Sequence, residues 1–366
     1  MPFAEVYRGK RVLVTGHTGF KGAWLCEWLM NLGADVTGLA LPPPTEPALF
    51  DQLGLAGRMR HRLGDIRDLA LVQRTVKESQ PDFVFHLAAQ PLVRLSYLQP
   101  VDTYAINMTG TIHVLEALRG LERPCAAVLI TTDKCYENHG SAHNYREEDS
   151  LGGFDPYSSS KAACEIAIAS WRRSFFKGHP VKIASARAGN VVGGGDWALD
   201  RIVPDCIRSL QKGEPIAVRN PNATRPWQHV LEPLSGYLWL AACLSNPELR
   251  PASADLASAF NFGPTPDATR TVAELVQEML KHWPGRWENR SNPTAVHEAN
   301  LLSLSVEKAK QMLHWQPVWS FRRTIEHTVA WYRQNQAASD TDPTLTRSQI
   351  ADYSAEARQL NLPWTQ

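Results

Sequence analysis

The chain has 366 residues, which is enough for one extended domain or for two lobes. Hydrophobic residues make up 43% of it and charged residues 20%, proportions typical of globular proteins rather than of disordered or membrane chains. The formal net charge of +1 gives no global attraction to nucleic acid or to an acidic membrane surface. Any site that binds an anion must therefore be local.

The start of the chain has no apolar signal core, and no apolar run is long enough to cross a bilayer. We therefore expect a cytoplasmic protein that binds neither membrane nor nucleic acid. Six cysteines are scattered along the chain without a CxxC pair. We expect reduced, mostly buried thiols rather than disulfides, and no metal site.

The first predicted elements form a β-α-β unit. A β-branched run at Lys10–Thr15 is followed by apolar residues at helical spacing over Phe20–Leu32, and Asp35–Ala40 has the pattern of a second strand. Two strands joined by a helix of this length are typical of neighbours in a parallel sheet.

The alternation of strands and helices continues through the first half of the chain. Further strands are predicted to end near Leu63 and to span Phe83–Leu87, Ala126–Thr131 and Val181–Arg187, with helices at Leu69–Ser79, about Val101–Leu118 and Tyr157–Phe176. This order predicts an α/β fold, a doubly wound parallel sheet of the Rossmann type with helices on both faces.

The rhythm weakens after Arg187. We predict a dinucleotide-binding domain over residues 1–187, to which 228–258 returns through a helix at about Glu232–Leu244. Residues 188–227 and 259–334 then form a smaller, irregular α+β lobe that binds the substrate. The polar, weakly periodic residues 335–366 predict a peripheral C-terminal arm.

A glycine-rich loop, GHTGFKG, lies between the first strand and the first helix. Its first glycine permits a tight turn, the second lets the backbone approach a pyrophosphate, and the third lets the helix pack on the strand. The helix N-terminus adds N–H donors and a partial positive charge. The loop predicts dinucleotide binding by Gly16, His17, Thr18, Gly19, Phe20, Lys21 and Gly22. Lys21 either adds charge beside the pyrophosphate or is a surface lysine.

The GxxGxxG spacing resembles the extended short-chain dehydrogenase/reductase superfamily. The resemblance implies further cofactor contacts at Asp65, Ile66, Leu87, Ala88, Ala89, Gln90, Asn107, Thr131 and Ala188. The carboxylate that usually binds the adenosine ribose is expected at the end of the second strand, but Ala40-Leu41-Pro42 stands there. No arginine for a 2′-phosphate is present there either, so this strand does not distinguish NAD from NADP.

Tyr157 and Lys161, in the segment YSSSK, lie four residues apart and so project from one face of the predicted helix. Removal of hydride from an alcohol needs a base for the hydroxyl proton. A tyrosine serves near neutral pH when a nearby cation lowers its pKa, and a lysine one turn away supplies such a cation. The pair is therefore predicted to be catalytic, with Pro156 at the helix start.

A second chemical motif, TTDKCY, follows the strand that ends at Thr131, at the sheet edge where open α/β folds bind ligands. In the superfamily, dehydratases carry an acid-base pair after the Thr that corresponds to Thr132, typically Asp-Glu, whereas epimerases do not. Here the pair is Asp133-Lys134. The glycine loop, TTDKCY and DPYSSSK together resemble the CDP-glucose 4,6-dehydratases. The resemblance extends over nearly the whole chain.

The resemblance implies a tightly held NAD and a redox-neutral dehydration. Tyr157 takes the C4 hydroxyl proton as hydride leaves C4, and the resulting ketone makes the C5 hydrogen acidic. Lys134, if its pKa is lowered, removes that proton while Asp133 protonates the departing C6 hydroxyl, and the hydride then returns to C6. The alternative is that Asp133 and Lys134 form only a structural ion pair at the strand end.

The anionic half of a nucleotide sugar needs local positive charge, and arginine binds phosphate with two hydrogen bonds. Arg225 is the first candidate because RPWQHV resembles the segment that grips the diphosphate in related enzymes. The other predicted substrate-binding residues are Arg94, Asn190, Arg201 and Arg219. The residues that select the base are not readable from the sequence.

Two other interpretations remain open at this point. One is an epimerase or a dehydratase for another nucleotide sugar, and the other is a non-catalytic dinucleotide-binding scaffold. Asp133-Lys134 argues against an epimerase, and the presence of Thr132, Tyr157 and Lys161 argues against a scaffold. The superfamily resemblance also implies a homodimer or homotetramer that pairs through the helices beginning near Val101 and Tyr157.

Overall fold

The computed structural model describes residues 2–138, 140, 143–249, 255–265, 268–291, 302–337 and 343–366. Parts of the predicted domain ranges 228–258, 259–334 and 335–366 therefore lie outside the described residues. The centre of the fold is a seven-stranded sheet in the order β7-β6-β5-β4-β1-β2-β3, with every neighbouring pair parallel. Its strands are β1 Arg11–Thr15, β2 Asp35–Ala40, β3 Arg60–Leu63, β4 Phe83–His86, β5 Cys125–Ile130, β6 Val181–Ala188 and β7 Ala259–Phe262.

Helices pack around this sheet and, with short strands, form the second lobe. Their bounds are α1 Phe20–Asn31, α2 Leu49–Gln52, α3 Leu69–Ser79, α4 Val93–Leu98, α5 Pro100–Tyr104, α6 Gly110–Arg119, α7 Pro156–Ser174, α8 Ile202–Lys212, α9 Leu231–Ser245, α10 Val272–His282, α11 Glu307–Leu313, α12 Phe321–Ala337 and α13 Thr344–Gln359.

Both faces of the sheet are covered, as the alternation along β1 shows. Val12 and Val14 pack into the same core as α1 and α9, whereas Leu13 packs with α3, α6 and α7 on the opposite face. All six residues of β5 are buried, the pattern of a parallel strand covered on both sides. The α/β prediction of a doubly wound parallel sheet is confirmed.

Four neighbouring strands bring the predicted motifs to one edge of the sheet. The loops after β1, β4, β5 and β6 leave the carboxyl ends of strands that are adjacent in the sheet. They carry the glycine loop, the Leu87–Gln90 segment, the TTDKCY segment and Asn190. The topology therefore explains why motifs far apart in sequence form one site.

The second lobe is built from short strands and helices. Trp287–Asn289 pairs in parallel with Ile216–Val218, and Thr224–Pro226 pairs antiparallel with Thr269–Thr271. The predicted domain boundary before residue 259 differs from the structure, because Ala259–Phe262 is an edge strand of the central sheet. Its short apolar run was too brief to distinguish from the irregular lobe by periodicity.

The helix predicted over about Val101–Leu118 is also different in detail. The chain forms α5, then a π-helical turn at Ala105–Thr109, then α6. Asn107, a predicted cofactor residue, lies in that wider turn. Single π-helical turns are frequent at functional sites.

The expectation of a peripheral C-terminal arm is wrong for the described part of residues 335–366. Helix α13 packs on α1, and the Tyr353 hydroxyl donates to Glu232 Oε2 at 2.7 Å. Trp364 is fully buried and stacks on Phe3 with ring centroids 5.1 Å apart. A few large aromatic side chains secure this segment, which a count of polar residues does not reveal.

We expect Trp364→Ala to lower the free energy of unfolding by about 3–5 kcal/mol, the usual cost of deleting a buried large aromatic side chain. Chemical denaturation of the purified chain measures this. Leu360→Ala is the control, since Leu360 in the same segment is exposed and its loss should change stability by less than about 0.5 kcal/mol. Equal, small effects of both changes would mean that the arm is peripheral after all.

Candidate active site

The glycine loop has the shape of a cradle for a dinucleotide. Gly16 has a φ of 77°, and a Cβ at this position would lie 2.6 Å from the backbone nitrogen of Ala88. A Cβ on Gly22 would lie 2.2 Å from the carbonyl oxygen of Gly16. At the N-cap, Gly19 supplies no side-chain hydrogen bond, so the first turn of α1 presents its N–H groups as an anion site. These features fit the pyrophosphate of a dinucleotide.

Two predicted cofactor residues in this loop direct their side chains into the protein. His17 Nε2 lies 2.7 Å from His61 Nδ1, and Thr18 Oγ1 donates to the Leu41 carbonyl at 2.9 Å. Burial, together with His61, lowers the pKa of His17 to about 4, so the ring is neutral at neutral pH. Any contact of His17 and Thr18 with a cofactor must therefore come from the backbone, because their side chains fix the loop to β2 and β3. Phe20 begins α1 and lies close to Gly193.

The sequence left open whether Lys21 adds charge in the site or is a surface lysine, and the structure places it in the site. Its ammonium group lies 3.5 Å from the Tyr237 hydroxyl in the interior of the site. Burial and the positive charges of Arg201 and Lys161 lower its pKa to about 8, against the opposing effect of Asp133. Lys21 thus brings a positive charge from the glycine loop close to Asp133 and Lys161.

Asp65 and Ile66 follow β3, on the far side of β2 from the glycine loop. The Asp65 carboxylate accepts hydrogen bonds from the backbone and side chain of Arg67, which hold the pKa of that carboxyl below its usual range. Ile66 is buried against Gly110, and its carbonyl contacts His113 Nδ1 at 3.0 Å. The pair therefore shapes this end of the groove between β1 and β3.

Asn107 joins the wall after β4 to the catalytic helix. Its Oδ1 accepts from the Gln90 backbone at 2.8 Å, and its Nδ2 donates to Ser160 Oγ at 2.9 Å. The backbone N–H of Ala88 donates a hydrogen bond to Thr15 Oγ1 at 3.3 Å. The predicted wall, which comprises Leu87, Ala88, Ala89 and Gln90, is thus fixed on both sides.

The segment after β5 places the predicted acid-base pair inside the site. Thr132 Oγ1 donates to Asp133 Oδ1 at 2.9 Å, and Lys134 Nζ lies 3.5 Å from that same oxygen. Lys134 Nζ also donates to Asn190 Oδ1 at 3.4 Å. Asp133 is 2% exposed, so the carboxylate and ammonium meet in a mostly water-free environment. Asn190, predicted as a substrate ligand, is a partner of Lys134 in this structure.

Helix α7 presents Tyr157 in its first turn. Asp155 caps the helix by accepting from the Ser158 backbone at 2.9 Å, and Pro156 occupies the first helical position. The Thr132 side chain is a hydrogen-bonding neighbour of Tyr157. Burial raises the pKa of Tyr157 above its ordinary value, while the Thr132 hydroxyl and the positive charge of Arg201 oppose that rise.

Lys161, the predicted partner of Tyr157, lies on the same helix α7. Its ammonium group donates to the Ile130 carbonyl at 3.4 Å, and burial lowers its pKa. In this structure the positive charge of Arg201 opposes the burial that raises the pKa of Tyr157. The sequence suggested Lys161 because helical spacing is visible, whereas the approach of Arg201 depends on the tertiary fold.

The predicted arginines fall into separate places. Arg94 and Arg219 both form ion pairs with Asp200 Oδ1. The guanidinium of Arg201 donates to Asp196 Oδ2 at 2.9 Å and affects the pKa of Tyr157. Arg225 lies on the strand Thr224–Pro226, next to the catalytic loop: a Cβ on Gly189 would approach both Pro226 and the Asp133 carboxylate. Of these arginines, Arg201 lies close enough to Tyr157 to affect its pKa, and Arg94 and Arg219 lie together at Asp200.

Comparison with known proteins agrees with this geometry. Residues 13–328 match the family model for GDP-mannose 4,6-dehydratase. The chain is 43% identical over 356 residues to the CDP-glucose 4,6-dehydratase of Salmonella typhimurium, a match that covers 95% of this chain and 97% of that protein. The chain belongs to the GDP-mannose 4,6-dehydratase family.

Two solved structures of other enzymes have the same fold. The dTDP-glucose 4,6-dehydratase DesIV from Streptomyces venezuelae, solved with NAD bound, is 22% identical, with a TM-score of 0.75 over 89% of this chain and 98% of that one. The UDP-glucose 4-epimerase of Thermotoga maritima is 21% identical, with a TM-score of 0.75 over 89% of this chain and 99% of that one. These similarities establish the fold of the family member described here.

Several residues of the dehydratase site were missed by sequence reasoning. Tyr237 on α9 contacts Lys21, and Asp196 holds Arg201. Glu165 and Arg187 form a buried ion pair behind the catalytic segment. Glu165 lies one turn beyond Lys161 on α7, so helical spacing was a usable signal for that residue, whereas Tyr237 and Asp196 reach the site only through the tertiary fold.

Within the part of the chain that the structure describes, no helix is long and apolar enough to span a bilayer. The same residues contain no group of three or more His, Cys, Asp or Glu side chains arranged to hold a metal ion. All six cysteines are buried as free thiols.

Proposed function

We propose that this dehydratase converts CDP-D-glucose to CDP-4-keto-6-deoxy-D-glucose with a tightly held NAD. The observation that carries the proposal is the pair Asp133 and Lys134, 3.5 Å apart beside Thr132 and Tyr157. An acid-base pair beside a redox site permits elimination of water as well as hydride transfer. The 43% identity to a CDP-glucose 4,6-dehydratase supports the choice of substrate.

The cofactor cradle fits NAD, which when bound supplies an acceptor for the C4 hydride and returns that hydride to C6. The backbone of the glycine loop and the first turn of α1 hold the pyrophosphate. The wall of Leu87–Gln90, Asn107, Thr131 and Ala188 borders the rest of the groove. Structural neighbours with NAD bound support this assignment.

The oxidation at C4 needs a group that receives the hydroxyl proton. Tyr157 takes this role, with Thr132 as its hydrogen-bonding neighbour and Arg201 as a nearby positive charge. The positive charge stabilises the phenolate that forms when Tyr157 gives its own proton away. Lys161, which donates a hydrogen bond to the Ile130 carbonyl, adds a further positive charge at the inner end of the site.

The elimination then uses the pair after β5. Lys134 removes the C5 proton, which the C4 ketone has made acidic, and Asp133 gives a proton to the C6 hydroxyl, which leaves as water. Return of hydride to C6 and of a proton to C5 completes a dehydration with no net redox change.

The diphosphate of the substrate binds to arginines at the mouth of the site. Arg225 on the strand Thr224–Pro226 is the first candidate, because this strand adjoins Gly189 and the Asp133 carboxylate. Arg94 and Arg219 share Asp200 in this structure, so a diphosphate competes with that carboxylate for both. Arg201 approaches the sugar end.

The test is to incubate the purified chain with CDP-glucose and to follow the alkaline absorbance of a 4-keto-6-deoxy sugar. We expect product with CDP-glucose and a much lower rate with the UDP-, GDP- and dTDP-linked sugars. Product with another nucleotide sugar alone would overturn the choice of substrate. No product with any of them would favour a non-catalytic dinucleotide-binding protein, and a 4-epimer alone would indicate an epimerase.

The product class provides a precursor for deoxysugars of the kind found in lipopolysaccharide, and we propose that the enzyme serves that synthesis in the cytoplasm. We also propose that it acts as a homodimer, or as a dimer of such dimers. Leu98 is 80% exposed and Val101 is 81% exposed, and Tyr104 and Ile166 add apolar surface on α5 and α7. Clustered exposure of this kind is typical of protein interfaces.

We expect Val101→Glu to convert the dimer to a monomer, because a charge in the centre of an apolar interface is left without a partner. Light scattering coupled to size-exclusion chromatography measures the mass. Leu63→Glu is the control, since Leu63 is also exposed but lies at the end of β3, away from α5 and α7. An unchanged dimer mass for Val101→Glu would place the interface elsewhere.

A further inference from the structure

A buried ion pair lies directly behind the catalytic segment. Glu165 on α7 and Arg187 on β6 meet at 2.9 Å, with side chains 2% and 4% exposed. The Glu165 carboxylate also accepts from Ser185 Oγ at 2.8 Å and from Thr131 Oγ1. These donors and Arg187 hold the pKa of Glu165 below its usual value in spite of burial, so the pair is fully charged.

The two partners of this pair hold opposite ends of the segment Thr131–Tyr136. The Thr131 hydroxyl donates to Glu165, and Arg187 Nη1 donates to the Tyr136 hydroxyl at 2.7 Å. The guanidinium also lies over the Tyr136 ring, 4.9 Å from its centroid. The Tyr136 hydroxyl in turn donates to Asn261 on β7 at 2.7 Å. Both ends of the segment are therefore tied to one rigid, buried point.

Three of the four residues between these ends, Thr132, Asp133 and Lys134, carry the chemistry. The side-chain hydrogen bonds and ion pairs described for Thr132, Asp133 and Lys134 are to one another, to Asn190 and to Tyr157. Backbone hydrogen bonds also hold the segment, from the Thr131 N–H to the Ala186 carbonyl of β6 at 2.9 Å and from the Gly152 N–H to the Cys135 carbonyl at 2.9 Å. The side-chain contacts that tie the segment to the buried ion pair are those of Thr131 and Tyr136.

We propose that Glu165 and Arg187 are positioning residues for the elimination step, which act by holding both ends of Thr131–Tyr136 so that Asp133 and Lys134 reach C6 and C5 together. A buried ion pair seldom stabilises a fold more than apolar packing would, but its hydrogen bonds are directional. Catalytic groups that are displaced by about 1 Å lose on the order of 100-fold in rate. This inference deepens the proposed function and rests on it.

The test removes each anchoring hydroxyl without unpairing a charge. We expect Thr131→Val and Tyr136→Phe each to lower kcat about 10- to 100-fold, with KM within about twofold and cofactor content unchanged. Thr131→Ser, which keeps the hydroxyl, should restore kcat to near the wild-type value. Ser185→Ala is the matched control because it removes a donor to the same Glu165 carboxylate from outside the segment, and its kcat should stay within about twofold of wild type.

Two results would overturn the proposal: a wild-type kcat for Tyr136→Phe, or an equal loss of kcat in Ser185→Ala and Thr131→Val. Should single variants unfold, the double variant Glu165→Met, Arg187→Met removes both charges and keeps an apolar core. A folded double variant with wild-type kcat would also contradict the proposal. The comparison uses whichever nucleotide sugar the wild-type enzyme converts, so a failure with CDP-glucose counts against the proposed substrate and leaves the positioning role to be decided by the variants.

Discussion

Tyr157→Phe is expected to lower kcat for dehydration by about 10²- to 10⁴-fold, the range that a positioned acid-base group contributes. The change removes the hydroxyl that receives the C4 proton and keeps the ring that fills the site. Because the first oxidation fails, the C5 hydrogen never becomes acidic, and no later step can compensate. Product formation from CDP-glucose and the near-ultraviolet absorbance of the nicotinamide measure the effect together.

The control for this prediction is Tyr7→Phe. The Tyr7 hydroxyl is as deeply buried as that of Tyr157, but it donates to the Leu238 carbonyl and lies outside the catalytic segment. We expect this variant to keep a wild-type kcat, although it leaves a carbonyl without its donor. Persistent conversion of substrate by Tyr157→Phe would assign the proton to another group, with Thr132 as the neighbour in contact.

The sequence predicted the sheet well because parallel strands covered on both faces have a strong apolar pattern. β1, β2, β4 and β5 end within one residue of their predicted ends, and the motifs at those ends lie at one edge of the sheet as expected. The glycine loop was equally readable. Gly16 and Gly22 are required by close backbone contacts, and such requirements leave a clear mark on a sequence.

The sequence was less informative about features that tertiary contacts determine. Arg201 was predicted to bind phosphate, but its charge also acts on Tyr157, 44 positions earlier in the chain. The C-terminal arm looked peripheral because its composition is polar, yet Tyr353 and Trp364 bury it against α1 and α9. Strand β7 was too short to recognise, and only the partner strand β6 reveals its place.

Lys134→Ala is expected to lower kcat for dehydration by about 10²- to 10⁴-fold while cofactor content and the first oxidation survive. The side chains proposed to act on the C4 hydroxyl proton are Thr132 and Tyr157, and their contact does not involve the lysine. Without a base for the C5 proton, the reaction stops at the 4-keto sugar. The observable difference from Tyr157→Phe is reduced nicotinamide that persists in a single turnover.

Lys281→Ala is the matched control, because Lys281 also forms an ion pair with an acidic neighbour, Glu278, at 2.6 Å but lies in the second lobe. Its removal should leave kcat unchanged. If dehydration by Lys134→Ala were unimpaired, Asp133 and Lys134 would be a structural ion pair at the end of β5, as the sequence left open. The distinction between an enzyme that only moves hydride and one that also expels water therefore rests on the pair Asp133 and Lys134, since Tyr157 and the cofactor cradle are common to both.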